Sequence, residues 1–135
     1  MEKQNEQKTV LLFVYGTLMS GFGNNILLKG QNLIGPGETV NDYTMYASGI
    51  PFVNDEKQTS KIKGELWEVQ PSRMPSLDGL EGHPNWYQRK LVPVTVNGEE
   101  FQAWLYFNTE NRGNLVEDGD YRKYREEIAK PKAVV

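Results

Sequence analysis

Apolar and polar positions along this chain fall into several distinct patterns. Residues 10–14, VLLFV, form an unbroken apolar run that predicts a short strand buried on both faces. Residues 87–96 and 99–107 instead alternate with a period of two, and Asn97-Gly98 separates them. Asn-Gly between two alternating runs predicts a hairpin, because a type I′ turn requires positive φ at both central positions. On its first strand Tyr87, Arg89 and Leu91 share one face, opposite Val92, Val94 and Val96. Further strand-like pieces fall at 31–34, 40–47 and 61–69. In the last of these Ile62, Gly64 and Leu66 share one face, and Lys61, Lys63 and Glu65 the other. The tracts 51–60 and 108–120 are polar and loop-like.

Helical spacing occurs in three places. Asn24 or Asn25 is placed to cap a short helix through Ile26, Leu27 and Leu28, ended by Gly30. Residues 121–130 carry Tyr121, Tyr124 and Ile128 at i, i+3, i+7, and Pro131 stops the pattern. The third is PSRMPSLDGLEGHP, residues 71–84. There Ser72 is a candidate N-cap, Pro75 falls in the first turn where its missing N–H does no harm, and Gly82 is a stop signal. No repeat or linker interrupts these elements. They predict one α+β domain over residues 9–130 with a largely antiparallel or mixed sheet, flanked by flexible tails at 1–8 and 131–135.

One position in the third helix breaks the pattern. At about 100° per residue, Met74, Leu77 and Leu80 define an apolar arc, and Glu81 falls inside it. A helix running to Gly82 therefore points a carboxylate at the core from its last turn. Burial disfavours the ionised form, and a negative charge at a helix C-terminus opposes the macrodipole. Both raise a carboxyl pKa, which suits a general acid/base working near neutral pH. The alternative is a helix that ends at Gly79 and leaves Glu81 in water. Tyr87 and Arg89 could bind a carboxylate or orient Glu81; equally, they could be a cross-strand tyrosine and a surface arginine. Trp67, Trp86 and Trp104 read as core or barrel filling.

Composition narrows the chemistry. The chain has 135 residues, 38% of them hydrophobic and 11% aromatic, which fits one soluble globular domain. Its net charge of −3 and lack of a basic block argue against a nucleic-acid partner. No apolar run approaches a membrane span, and the N-terminus MEKQNEQKT lacks a signal-peptide core, so a cytoplasmic location is expected. There is no cysteine, and His83 is the sole histidine. Disulfides, thiolate chemistry and cysteine zinc sites are excluded, and His-based triads or metal clusters have little to draw on. Chemistry here must use carboxylates, hydroxyls, Lys, Arg and backbone dipoles.

The apolar strand runs into a glycine-rich loop, YGTLMSGFG at 15–23. Gly16 and Gly21 have P-loop spacing, but Phe22 and Gly23 stand where a Walker motif needs Lys and Ser or Thr. A dinucleotide fingerprint starting at Gly21-Phe22-Gly23 fails at Ile26. Nucleotide binding is therefore rejected; the loop can still present backbone N–H groups to another anion or a carbonyl oxygen.

Several of these stretches together resemble the γ-glutamylcyclotransferase-like family, which includes γ-glutamylamine cyclotransferases and AIG2-like small proteins. FVYGTLMSG is similar to its opening signature, and GIPFV at 49–53 and KGELWEV at 63–69 continue the likeness. LDGLEGHPNWYQRKLVPV at 77–94 is the most specific segment, followed by WLYF at 104–107 and GDY at 119–121. The resemblance spans residues 12–125. It implies a small mixed, mostly antiparallel β-barrel with flanking short helices, acting on a γ-glutamyl amine or γ-glutamyl amino acid. The implied products are 5-oxoproline and a free amine, made without metal or cofactor. It assigns Glu81 as acid/base and Tyr15, Gly16, Thr17 and Leu18 as the loop gripping the γ-glutamyl group. Tyr87 would line the pocket, and Arg89 would order its strand or contact a carboxylate. Loops at 48–60 and 108–120 would border the site. Glutathione ranks below other γ-glutamyl compounds as a substrate. The rival reading is a catalytically silent binding or regulatory module using the same pocket.

Overall fold

The computed structural model describes residues 9–110 and 112–129. The expected tails at 1–8 and 131–135, together with Lys130 and the Pro131 stop, lie outside the described residues. Strand β1 (Val10–Val14) is the predicted apolar run, and its Leu12, Phe13 and Val14 are buried. Strands β6 (Gln88–Val96) and β7 (Glu99–Phe107) form the predicted hairpin, with φ of 52° at Asn97 and 81° at Gly98.

These strands close into a barrel with β2 (Asn32–Thr39) and β5 (Lys63–Val69), in the order β1-β5-β2-β6-β7. Neighbours are antiparallel except β1 and β7, which run parallel with Leu12 opposite Trp104. The barrel is thus mixed and mostly antiparallel, with short helices beside it. Its closure removes the exposed edges that a five-stranded open sheet would leave. Leu12, Phe13, Leu66, Val94 and Leu105 are fully buried in the core.

A second sheet has three strands in the order β4-β3-β8, of which the periodicity predicts only the middle one, at 40–47. It comprises β3 (Thr44–Ser48), β4 (Ile50–Asn54) and β8 (Asn114–Val116). Two tracts read as loops therefore contain strands, β4 within 51–60 and β8 within 108–120. Pro51 masked β4: a proline argues against a central strand, but β4 is an edge, where it is tolerated. Similarly, β2 extends well past the expected 31–34, through Gly35-Pro36-Gly37, and β3 starts four residues later than expected.

The helices also differ in detail. A 3₁₀ helix, Gly23–Leu28, follows the glycine loop and is preceded by Phe22, so neither Asn24 nor Asn25 is its cap. Helix α1 (Met74–Glu81) follows a 3₁₀ turn, Pro71–Arg73, in which Ser72 lies exposed; the residue before α1 is Arg73 and makes no side-chain cap. Pro75 falls in its first turn as expected, and Gly82 ends it in the left-handed region with φ of 68°. Helix α2 (Tyr121–Ala129) buries Tyr121, but Ile128 is 58% exposed, so the apolar stripe packs only at its start.

Candidate functional site

The end of β1, the loop after it, the end of α1 and the start of β4 converge on one cavity of about 130 Å³. Tyr15, Gly16, Thr17 and Leu18 line it together with Glu81, Tyr87 and Tyr106. Phe13, Val14, Asn24, Ile50, Pro51, Leu80 and Trp86 complete the wall. Six of the seven candidate site residues thus meet here. The seventh, Arg89, does not line the cavity.

Side-chain contacts fix the loop. Asn24 Nδ2 donates to Thr17 Oγ1 at 2.8 Å, and Asn25 Nδ2 donates to the Leu18 carbonyl at 2.8 Å. The two asparagines expected to cap a helix therefore hold the loop instead. Glu65 anchors the next turn: it accepts from the Ser20 amide at 2.9 Å and from Trp67 Nε1 at 3.1 Å, and pairs with Arg122 at 3.0 Å. The amides of Gly16, Thr17 and Leu18 find no protein acceptor among the described residues. All three residues line the cavity.

Gly16 sits where no side chain fits. A Cβ there would stand 2.7 Å from Pro51 Cγ, well inside contact distance. The same Pro51 accepts a hydrogen bond at its carbonyl from Tyr87 Oη, at 2.7 Å. Tyr87 is the residue before β6, stacks on Phe52 with centroids 5.9 Å apart, and is buried. Tyr15 Oη donates to the Tyr106 carbonyl at 2.6 Å, tying the loop to β7.

Glu81 occupies the last turn of α1, half-buried at the cavity wall. Of the two readings open from the sequence, the helix runs to Gly82 and carries the carboxylate inward. The His83 amide donates to the Asp78 carbonyl at 2.9 Å and the Gly82 amide to Gly79 at 3.2 Å, closing the helix end in the manner of a glycine stop. Leu80, expected in the core, is instead 39% exposed at the cavity mouth. The Glu81 carboxyl has no hydrogen bond or ion pair among the described residues, although the backbone carbonyl of Glu81 accepts from the Tyr87 amide at 3.2 Å. Burial pushes its pKa up to about 7. Burial also raises the phenols of Tyr15, Tyr87 and Tyr106, and the nearby Glu81 adds to the effect in each. All three tyrosines are therefore neutral.

Arg89 takes a different carboxylate. Its Nε and Nη2 donate to Asp78 Oδ1 and Oδ2 at 2.8 and 3.1 Å, and its guanidinium lies 4.5 Å from the Trp104 ring. Tyr106 Oη also donates to Asp78, at 2.6 Å. Burial alone would raise the Asp78 pKa, but these hydrogen bonds together outweigh it and hold the carboxyl below its usual range. Arg89 and Tyr87 thus do not act side by side: Tyr87 turns to Pro51 and Arg89 to Asp78. The outer face of β6 carries Leu91, 54% exposed.

Several wall residues carry no signal in the hydrophobic pattern, although they lie in the stretches GIPFV and LDGLEGHPNWYQRKLVPV that bear the family likeness. Ile50 and Pro51 lay in a tract read as loop, although the segment 48–60 was expected to border the site. No described residue of 108–120 lines this cavity. Trp86 is 44% exposed and lines the mouth, unlike Trp67, which is buried. Asp78 could have been noticed, since it lies one turn before Glu81 on the same helix. His83 accepts from the Arg89 amide at 3.3 Å and precedes a cis Pro84. No group of three or more His, Asp or Glu that could hold a metal ion occurs among the described residues. None of their helices is long and apolar enough to cross a membrane.

Known proteins share this arrangement of sequence and fold. The family described as gamma-glutamyl cyclotransferase, AIG2-like, matches residues 12–123. A protein of Methanocaldococcus jannaschii named "Putative gamma-glutamylcyclotransferase" is 46% identical over 116 residues, which cover 84% of this chain and 97% of that one. Gamma-glutamylaminecyclotransferase B of Danio rerio is 32% identical over 128 residues, covering 84% of this chain and 67% of that one. Among solved structures, an uncharacterized protein of Pyrococcus horikoshii superimposes with a TM-score of 0.69 at 27% identity, covering 88% and 95% of the two chains. An AIG2-like protein of Mus musculus gives 0.67 at 26% identity, covering 76% and 78%.

Proposed function

This chain belongs to the AIG2-like gamma-glutamyl cyclotransferase family, and on that premise we propose that it converts a γ-glutamyl amine or γ-glutamyl amino acid into 5-oxoproline and a free amine. One observation carries the reading. A carboxyl without a partner, its pKa pushed up to about 7, lines the same small cavity as Gly16, Thr17 and Leu18, whose amides have no acceptor among the described residues.

Glu81, as carboxylate, takes a proton from the α-ammonium of the bound substrate and frees the nitrogen lone pair. That nitrogen attacks the γ-carbonyl carbon of the same molecule, closing a five-membered ring. The carbonyl oxygen gains the electron pair, and the N–H groups of Gly16, Thr17 and Leu18 stabilise the charge, typically by about 3 kcal/mol per donor. Protonated Glu81 returns its proton to the amide nitrogen, and the bond from the γ-carbon to that nitrogen breaks. The remaining extra proton on the ring nitrogen passes by way of the same carboxylate to the released amine, which leaves as an ammonium.

No side-chain nucleophile is required, because the substrate supplies its own amine. That suits a chain with no cysteine and one histidine. A pKa near the working pH lets one group act as base and then as acid. Tyr15, Tyr87 and Tyr106 shape the pocket around the glutamyl carbons, and Arg89 acts at a distance by fixing α1 through Asp78.

The test is release of 5-oxoproline, followed by mass spectrometry, from a panel of γ-glutamyl amines, γ-glutamyl amino acids and glutathione. Wild type releases it and Glu81→Gln does not, since the variant keeps the shape and removes the base. Turnover that survives the substitution refutes the mechanism. Silence of folded wild type across the panel, with retained ligand binding, identifies the cavity as that of a binding module instead.

A further inference from the structure

The cavity mouth has a chemistry of its own. Ile50, Leu80 and Trp86 are exposed by 38%, 39% and 44%, and all three line the cavity. They come from three segments: the first residue of β4, the last turn of α1, and the stretch between α1 and β6. Trp86 is propped by Tyr87 and Phe52, with ring centroids 5.0 and 6.1 Å away. An apolar rim converging on a pocket costs solvation unless something apolar covers it.

The cations nearest the rim among the described residues are engaged with other groups, and Arg125 donates to Tyr121 Oη at 2.8 Å. Among the lining residues Glu81 is the one with an ionisable carboxyl, and none is Lys or Arg. Arg89 is held by Asp78, Arg112 pairs with Glu110 at 3.1 Å beside Phe52, and Lys90 pairs with Asp55 at 2.9 Å. None of these cations lines the cavity, so none is placed there to receive a carboxylate.

With the glutamyl group between Glu81 and the loop amides, the departing amine points to the mouth. In a γ-glutamyl α-amino acid, a second carboxylate sits one carbon from the scissile nitrogen and would be desolvated against this rim without a counter-charge. We infer that the leaving group is an apolar alkyl or arylalkyl amine, and that the rim of Ile50, Leu80 and Trp86 is the subsite that selects it. This inference rests on the cyclotransferase reading above and specifies its substrate.

The experiment compares γ-glutamyl-phenethylamine with γ-glutamyl-phenylalanine, which differ by one carboxylate, and with γ-glutamyl-ε-lysine, all read by 5-oxoproline release. The phenethylamide is expected to have kcat/KM about tenfold or more above both others, a difference that one uncompensated charge readily produces. Ile50→Lys places a cation at the exposed rim and is expected to raise kcat/KM for γ-glutamyl-phenylalanine while lowering it for the phenethylamide. Equal or faster release from γ-glutamyl-phenylalanine or γ-glutamyl-ε-lysine overturns the inference and leaves the cyclotransferase reading intact. If no substrate turns over, calorimetry with the phenethylamide and γ-glutamyl-phenylalanine separates the two claims. Tighter binding of the phenethylamide then upholds the apolar subsite and refutes only turnover; equal or weaker binding refutes both. An Ile50→Lys change in sedimentation velocity without a change in selectivity reassigns the rim to contact between copies of the chain and overturns the inference.

Discussion

Arg89 grips Asp78 through two hydrogen bonds of 2.8 and 3.1 Å, and so leaves Glu81, one turn further along α1, without a cation. The same pair staples α1 to β6, and Tyr106 of β7 joins it at 2.6 Å. Where the helix sits, and what charge its last residue feels, are therefore set by a neighbouring carboxylate.

Removing that carboxylate should have two effects. Asp78→Asn breaks a pair whose side chains are 20% and 21% exposed, at a cost of roughly 1–3 kcal/mol in urea unfolding at neutral pH. Because the Asp78 pKa is lowered on folding, this contribution is present above the ordinary carboxylate range and disappears as pH falls through the depressed value. Wild type and variant should converge in acid. The freed Arg89 should also lower the Glu81 pKa, moving the acidic limb of the pH–rate profile to lower pH, a shift that a purely structural lesion does not produce.

The proposed role of Glu81 fixes the pH dependence expected of catalysis. Its base form dominates above about 7, so kcat/KM should rise with pH through that value. Glu81→Gln should lower kcat by about 10²–10⁴-fold, the usual contribution of an acid/base group. A wild-type profile flat between pH 5 and 8 would contradict the assignment.

Stability should run the opposite way from activity. A carboxyl raised on folding from 4.5 to about 7 binds more protons in the folded state, so stability falls as pH rises between those values. Above pH 7 the ionised group costs the fold roughly 3 kcal/mol at most, at about 1.4 kcal/mol per pH unit. Glu81→Gln should therefore be more stable than wild type at pH 8, by roughly 1–3 kcal/mol, with the advantage gone at pH 4. Denaturant titrations at the two pH values measure it.

Gly16→Ala should separate site geometry from overall stability. The added methyl meets Pro51 Cγ at 2.7 Å, and Pro51 in turn positions Tyr87 through its carbonyl. Overpacking of this kind costs about 1–3 kcal/mol. The displacement crosses the cavity, so kcat/KM should fall by about tenfold or more while the protein remains folded at 25 °C. Unchanged kinetics would mean that the loop and β4 move together without disturbing the pocket.

Much of the framework could be read without coordinates. The apolar run of β1, the Asn-Gly hairpin and the last-turn carboxylate of α1 are local patterns, because burial along a single element imprints its period on the residues. Pro51 hid β4, and the short β8 was lost in a polar tract, because an edge strand of three to five residues has too few positions to show a period. Asn24 and Asn25 suited a helix start by residue type, yet they reach back to Thr17 and Leu18. Residue type fixes what an amide is able to bond; the chain path decides which partner it reaches.

The sequence by itself determined the strands of the hairpin and the glycine loop after β1, and it left the carboxylate at the end of the apolar helical arc with two possible surroundings. The hairpin and the loop depend on interactions between residues close in the chain. Only the tertiary structure decided that Pro51 would press on Gly16, that Trp86 would stand at the mouth, and that Arg89 would choose Asp78 over Glu81. Each of those contacts joins different elements, and barrel closure and strand register fix their distance. A side chain's charge is written in the sequence, but its partner is settled where the elements meet.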